Sequence, residues 1–274
     1  MGAAVLRPFG RPATEPATAT DESILADEPG GYPRLVSPAQ PGLVVALDGP
    51  GSSGKSSVGA AAALRLGYRF CDTGLLYRAA TWLALRRRVR ADDPDALVAL
   101  VTEIELVPDE NGRLAHVSVD GVDVTADVHT PRVDDAVSAV SGVAELRAAL
   151  LERQRALAAE PGGIVMAGRD IGTVVLPDAD LKIFLDASVE ERARRRAEER
   201  GVDPDGSDGR FILAKLRRRD ALDSNRDVAP LRPAEDAIHI VTDGNTFDQT
   251  VEAVVATVRA AAASSAALAA GEAR

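Results

Sequence analysis

The sequence predicts an α/β protein built on a five-stranded parallel sheet flanked by helices, and three observations carry that expectation. From Gly42 onward short apolar runs alternate with helical stretches. The runs are continuous in apolar character, as strands buried on both faces require. A Gly-rich turn joins the first run directly to the first helix, the strand-to-helix transition of an open α/β sheet.

The five expected strands are Leu43 to Asp48, Tyr68 to Asp72, Gly163 to Ala167, Leu181 to Asp186 and Ile238 to Thr242. Each is short, apolar and bounded by Gly, Asp or Pro. Between them lie helical stretches at Lys55 to Leu66, Leu75 to Arg87, Asp134 to Ala159 with a break near Gly142, Ser188 to Glu199, and Phe211 to Arg226. An Ala-rich helix follows Thr246 and is expected to fray into a C-terminal tail. From Ile104 to Val128 the pattern changes to short alternating strands separated by Asn111-Gly112 and Asp120-Gly121, both strong hairpin turn pairs. That segment reads as a small antiparallel insert riding on the core. Gly201 to Gly209, with Asp203, Pro204, Asp205 and Asp208, reads as a loop between two Arg-rich helices. No internal repeat is present.

Composition narrows the class. The chain has 274 residues, 46% of them apolar, with 42 acidic and 32 basic side chains for a formal charge of −10. Such a chain buries roughly 70% of its unfolded surface and needs no staple to complete a core. The single Cys71 cannot support a disulfide framework, which points to a reducing, cytoplasmic setting. The start Met-Gly-Ala-Ala-Val-Leu-Arg-Pro lacks the layout of a secretory signal, and no membrane-spanning helix is expected. A net acidic chain disfavours bulk nucleic-acid binding while leaving a local anion site open. Residues 1–41 hold seven of the 16 prolines and no sustained apolar period, so they read as a flexible tail. His116, His129 and His239 lack metal-ligand spacing, and Trp82 and Cys71 read as packing residues.

The strongest chemical signal is Gly49-Pro50-Gly51-Ser52-Ser53-Gly54-Lys55-Ser56, which fits G-x-x-x-x-G-K-[ST] between a strand and a helix. Its glycines let backbone N–H groups turn toward phosphate oxygens, and the helix N-terminus adds partial positive charge. Lys55 would reach the β- and γ-phosphates, and the Ser56 hydroxyl would hold Mg²⁺. With Ser57, these residues form the expected ATP site of a P-loop NTPase core.

Three further segments follow strands or flank the acidic loop. Asp72-Thr73-Gly74-Leu75-Leu76-Tyr77-Arg78 sits at a strand's carboxyl end, where open sheets bind ligands, although Asp72 or Thr73 serves equally well as an N-cap. Gly168-Arg169-Asp170-Ile171-Gly172-Thr173 follows another strand. In Arg217-Arg218-Arg219-Asp220-Ala221-Leu222-Asp223-Ser224-Asn225-Arg226, the spacing places Arg219, Asp223 and Arg226 on one helix face. Singly, the Arg clusters read as solvated faces. Together with a P-loop on an acidic chain they suit phosphoryl transfer between two nucleotides, where negative charge must be neutralised.

These strings, with Lys182-Ile183-Phe184-Leu185-Asp186-Ala187 and Asn225-Arg226-Asp227-Val228-Ala229-Pro230-Leu231, resemble bacterial cytidylate kinases in order from about Leu43 to Phe247. The resemblance implies a kinase domain over 42–262, with a core at 42–90 and 150–262, a monophosphate-binding insert at about 91–149, a mobile lid at about 190–210 and a tail at 263–274. It implies ATP-dependent, Mg²⁺-assisted phosphorylation of CMP and dCMP by a monomer that uses neither a nucleic-acid polymer nor a membrane. The acceptor's phosphate would be held by Arg78, Arg169 and Arg226, its cytosine by Ser138, Arg147 and Asp170, and its sugar by Asp223 and Arg219. Asp72 and Thr73 would complete that site, Thr73 keeping the hydroxyl of the family's more usual Ser. Lid arginines would come from Arg192, Arg194, Arg195 and Arg196. Lys55, Arg78, Arg169, Arg219 and Arg226 would carry catalysis. The rival readings are a P-loop kinase for UMP, AMP or shikimate, and a GTPase-like switch. The switch is disfavoured because no Asn-Lys-x-Asp string is present.

Overall fold

A computed structural model describes residues 42–272. The expected N-terminal tail therefore lies outside the described residues. The chain forms strands β1 (Val44–Asp48), β2 (Arg69–Asp72), β3 (Ile104–Pro108), β4 (Arg113–Val119), β5 (Val122–Asp123), β6 (Ile164–Ala167), β7 (Leu181–Asp186) and β8 (Ile238–Val241). The helices are α1 (Lys55–Leu66), α2 (Gly74–Arg87), α3 (Pro94–Ala99), α4 (Pro131–Ser141), α5 (Ala144–Ala159), α6 (Val189–Glu199), α7 (Ser207–Asn225) and α8 (Phe247–Glu272). The five strands expected from the apolar runs pair in parallel in the order β2-β6-β1-β7-β8. Strand β1 is flanked by β6 and β7, so the turn after Asp48 opens at the middle of the sheet's carboxyl edge. That edge is where such sheets bind ligands.

The insert departs from expectation. Asp120 and Gly121 both have positive φ, the turn that Asp-Gly favours, and β3 and β4 pair antiparallel as foreseen. Yet β4 also joins β2 in parallel through Phe70–Arg113 and Cys71–Leu114. The hairpin is therefore an extension of the main sheet, because the exposed edge of β2 offers unpaired backbone groups that β4 satisfies. The acidic loop is also shorter than expected. Helix α7 begins at Ser207, since Ser207, Asp208 and Gly209 are compatible with a helical first turn in which Asp208 meets the positive dipole end. Arg226 lies just past α7 in extended conformation, so it does not continue the helix face of Arg219 and Asp223.

Helices α1 and α8 pack on one face of the sheet through Val58, Ala62, Val251, Val254, Val255 and Val258. Against the insert, α2 to α5 build a second core around Leu76, Leu97, Ile104, Leu146 and Leu150. Helices α6 and α7 share a small core of their own, Ala193, Ala197, Ile212 and Leu216. Helix α8 runs on through Glu272 with no break at residue 263. Its stretch Phe247–Ala270 is long and apolar enough to cross a membrane by length and composition, with mean hydropathy 1.5, where the sequence reading expected no such run. Alanine supplies much of that hydropathy, and one face of the helix's first half, through Val251, Val254, Val255 and Val258, is buried in the core.

Candidate active site

The phosphate-binding turn is held by backbone that only glycine accommodates. Gly49 has φ 151°, and a Cβ there would lie 2.1 Å from the Leu185 carbonyl oxygen, so this turn rests directly on β7. Gly54, at φ 91°, precedes the first helical residue of α1. Lys55 is buried and folds back to donate to the Pro50 carbonyl at 2.6 Å and toward Ser53 Oγ at 3.5 Å. Burial, reinforced by Arg169, lowers its ammonium to about 7. A polyanion arriving at this turn would reverse that cause.

Residues Gly51 to Ser57 line a cavity of about 660 Å³. Its other walls come from Asp72, Arg78, Arg169 and Arg219, from Arg194, Arg195 and Arg196 of α6, and from Asn245, Thr246 and Phe247 before and at the start of α8. A second pocket of about 50 Å³ lies beside it, walled by Thr73, Tyr77, Arg147, Asp170, Asp223 and Arg226. Arg78, Arg169 and Arg219 line both. Residues expected at the site thus converge here from the ends of β1, β2 and β6 and from α1, α2, α5, α6 and α7, whereas Ser138 of α4 lines neither cavity.

Inside the small pocket most polar groups are paired with one another, whereas the buried Arg219 Nε has no hydrogen-bond partner. Arg147 and Asp170 form a buried ion pair; Arg147 also donates to the Ser141 carbonyl at 3.0 Å and lies 5.1 Å over the Tyr77 ring. Arg226 approaches the other oxygen of Asp170 at 3.7 Å and donates to the Ala229 carbonyl at 2.5 Å. Asp223 accepts from Ser138 at 3.1 Å and from Arg169 at 2.6 Å, with Arg219 at 3.8 Å. Burial alone would push Asp223 up, but Arg169, Arg219 and Arg226 together hold its carboxyl below the usual range. Burial and the neighbouring Arg169 lower Arg219 to about 9.

At β2, Asp72 lines the large cavity and Thr73 the small pocket, and both also make local contacts. Asp72 accepts from the Gly74 amide at 2.9 Å, while Thr73 donates to the Ala167 carbonyl at 2.9 Å and so ties β2 to β6. The arginines of α6 divide. Arg192 is buried and donates to the carbonyls of Ala187 and Gly51 and to Asp220, which makes it a brace behind the phosphate turn. It does not line the cavity, contrary to the expectation that it closes over the phosphate. Arg195 donates to Glu191 and Thr242, and Arg196 pairs with Glu199 and Asp134.

One residue of the site and one beside it escaped the sequence reading. Asp134 of α4 meets Arg78 at 2.7 Å and lies within 4 Å of Arg196, Arg200 and Arg219. Asp48, at the end of β1, is 4% exposed and accepts backbone N–H bonds from Ile171 and Gly172; burial pushes it up to about 6. An Asp in the Asp134-Asp135 pair that opens α4 and another at a strand end carry no spacing signal.

Among the described residues no group of three or more His, Cys, Asp or Glu side chains is arranged to hold a metal by itself. The exposed Ser56 hydroxyl at the start of α1 suits a Mg²⁺ that arrives with nucleotide phosphates, since Mg²⁺ keeps most of its ligands as water and phosphate.

The family model described as cytidylate kinase matches residues 45–260. A cytidylate kinase of Nocardia farcinica is 48% identical over 210 residues, covering 77% of this chain and 90% of that protein. One from Geobacillus sp. WCH70 is 47% identical over 77% of this chain and 94% of its own length, and one from Streptomyces avermitilis is 44% identical over 80% and 93%. With the match running from β1 into α8 and taking in both cavities, the chain belongs to the cytidylate kinase family.

Proposed function

We propose that the protein transfers the γ-phosphoryl group of ATP to CMP and dCMP, giving CDP or dCDP and ADP, as a cytoplasmic monomer. The observation that carries this reading is the shared wall of Arg78, Arg169 and Arg219 between the large cavity at the phosphate turn and the small polar pocket. A donor in the first and an acceptor in the second would meet at three guanidinium groups.

An ionised oxygen of the acceptor phosphate is itself the nucleophile, so no general base is needed. It bonds to the γ-phosphorus as the bond to the bridging oxygen breaks and ADP leaves. Lys55 and the three arginines neutralise the charge gathered there and hold the reactants in line. Mg²⁺, held by Ser56 and the phosphates, supplies further charge neutralisation when bound. Gly49 to Ser57 would cradle the donor's phosphates, and the exposed ring of Phe247 offers a surface for its base.

In the small pocket, Asp170 and Arg147 suit cytosine. Its N4 amino group donates to a carboxylate, while N3 and O2 accept from a guanidinium. Ser138 would join them, Asp223 and Arg219 would take the sugar, and Arg226 the phosphate. Uracil places an acceptor where cytosine has its amino group and would face the Asp170 carboxylate unfavourably. The stretch at about 190–210 is proposed as the mobile lid because α6 and α7 pack on a small core of their own and Arg196 meets Asp134 of α4 through an ion pair.

The test is ADP formation by the purified protein with ATP and Mg²⁺ against CMP, dCMP, UMP, AMP, GMP and shikimate. Turnover confined largely to CMP and dCMP supports the reading. Preference for another acceptor overturns the base assignment, and turnover independent of any acceptor overturns the kinase. Lys55→Ala should lose at least about a hundredfold in kcat while keeping its fold.

A further inference from the structure

Asp48 lines neither cavity, yet it adjoins the phosphate turn in sequence and touches the turn after β6 that carries Asp170. It is the last residue of β1 and the neighbour of Gly49 in the phosphate turn. In the parallel register Leu47 stands opposite Ala167, which brings Asp48 beside the chain leaving β6. Its two oxygens accept from the amides of Ile171 at 2.8 Å and Gly172 at 2.7 Å. Those amides open the π-helical turn Ile171–Val175, whose N-cap residue is Asp170.

First-turn amides have no partner within their own helix, and an Asp at the N-cap ordinarily bends back to accept from the second or third of them, here Gly172 or Thr173. Asp170 makes no such bond. Its carboxylate instead meets Arg147 through one oxygen and Arg226 through the other. Asp48 has taken the cap's work from a neighbouring strand.

We propose that Asp48 is a positioning residue for base recognition: by occupying the amides of Ile171 and Gly172 it keeps Asp170 from capping its own turn and holds that carboxylate toward the acceptor. This rests on the reading of Asp170 as the cytosine acceptor. It also joins the two halves of the site, because the residue that orients the base-reading carboxylate is covalently next to the donor's phosphate turn.

The test is Asp48→Asn, which keeps size but replaces one acceptor oxygen with a donor facing an amide N–H. KM for CMP should rise about tenfold, and the ratio of kcat/KM for CMP over UMP should fall about tenfold, with KM for ATP and kcat within about threefold of wild type. Because Asp48 acts through Asp170, the double variant Asp48→Asn/Asp170→Asn should be no worse toward CMP than Asp170→Asn alone. An equal rise in KM for ATP and CMP, an unchanged CMP/UMP ratio, or multiplying effects in the double variant would each overturn the proposal. Should Asp48→Asn fail to fold by circular dichroism, Asp48→Thr, which suits a strand and keeps one acceptor oxygen, takes its place with the same readouts. If Asp170→Asn itself leaves the CMP/UMP ratio unchanged, the cytosine reading fails first and the role of Asp48 goes with it.

Discussion

Arg78 of α2 donates through Nη2 to Asp134 of α4 at 2.7 Å, and the same carboxylate has Arg200, Arg196 and Arg219 at 3.5, 3.6 and 3.9 Å. One negative charge therefore holds together four guanidinium groups from the core, the end of α6, and α7. Burial alone would push the Asp134 carboxyl up, but Arg78, Arg219 and Arg196 hold it below the ordinary range, so it stays ionised at neutral pH. A phosphate seated against Arg78 would have to share these cations with a like charge. Asp134→Asn should accordingly bind CMP about three- to tenfold more tightly, by calorimetric titration at low salt, because the repulsive partner is gone. Weaker binding would mean that Asp134 chiefly orients the arginines for the acceptor.

Lys55 gives a prediction about protons. In the free protein burial, reinforced by Arg169, brings it to about 7, below the 10.5 of an exposed lysine. Near pH 8 it is thus largely neutral, and ATP phosphates beside it would restore the charged form. ATP binding at about pH 8 should take up close to one proton, falling toward zero below about pH 6, where Lys55 is already charged. Calorimetry in two buffers of different ionisation enthalpy measures this. Lys55→Met should abolish the uptake, and uptake that persists in that variant would assign it elsewhere.

The phosphate turn was legible in the sequence because its mechanism demands glycines and a lysine at set spacing. The β-hairpin was legible because Asn-Gly and Asp-Gly carry turn geometry locally. Residues defined by long-range meetings were not. Nothing near position 113 says that β4 will lie along β2, and nothing near Asp134 says that three helices will bring four arginines to it. Ser207 to Gly209 reads as loop in the sequence because its neighbours are Asp, Pro and Gly, whereas the packing of Ile212 and Leu216 on α6 pulls the helix start back to Ser207. In the Arg-rich stretch of α6, composition made Arg192, Arg195 and Arg196 look alike. Only the fold separates the buried brace from the cavity wall.

That separation is testable. Arg192 spans the Ala187 and Gly51 carbonyls and Asp220, and its side chain is 6% exposed. Removing it strands the Ala187 and Gly51 carbonyls and leaves the partly exposed Asp220 unpaired, at a cost of about 2–4 kcal/mol. Arg192→Ala should therefore lose thermal stability by about 5–15 °C and raise KM for ATP as Gly51 loses its support. Arg196→Ala, at the partly exposed cavity wall, should leave the melting temperature within a few degrees and lower kcat instead. Differential scanning calorimetry with steady-state kinetics distinguishes them, and a stable but inactive Arg192→Ala protein would restore Arg192 to direct phosphate contact.

The small pocket makes the strongest demand on motion. At about 50 Å³ it has room on the scale of one or two waters, whereas ligand pockets usually enclose about 300–1,000 Å³. The groups that shut it join α4 to α7 and to the turn after β6: Ser138 and Arg169 both donate to Asp223. A base that claims Ser138, Arg147 and Asp170 must break some of these pairs, and its own donors and acceptors replace them. Spin labels at Ala139→Cys on α4 and Ala221→Cys on α7, both exposed, would follow the gap, and the buried Cys71 should not take up label. CMP should lengthen the mean separation by about 2 Å or more, within the range of ligand-driven rearrangements, while ATP alone should leave it unchanged. A distance that ATP shifts and CMP does not would place the opening at the large cavity, and the pairs around Asp223 would then be permanent structure that CMP never displaces.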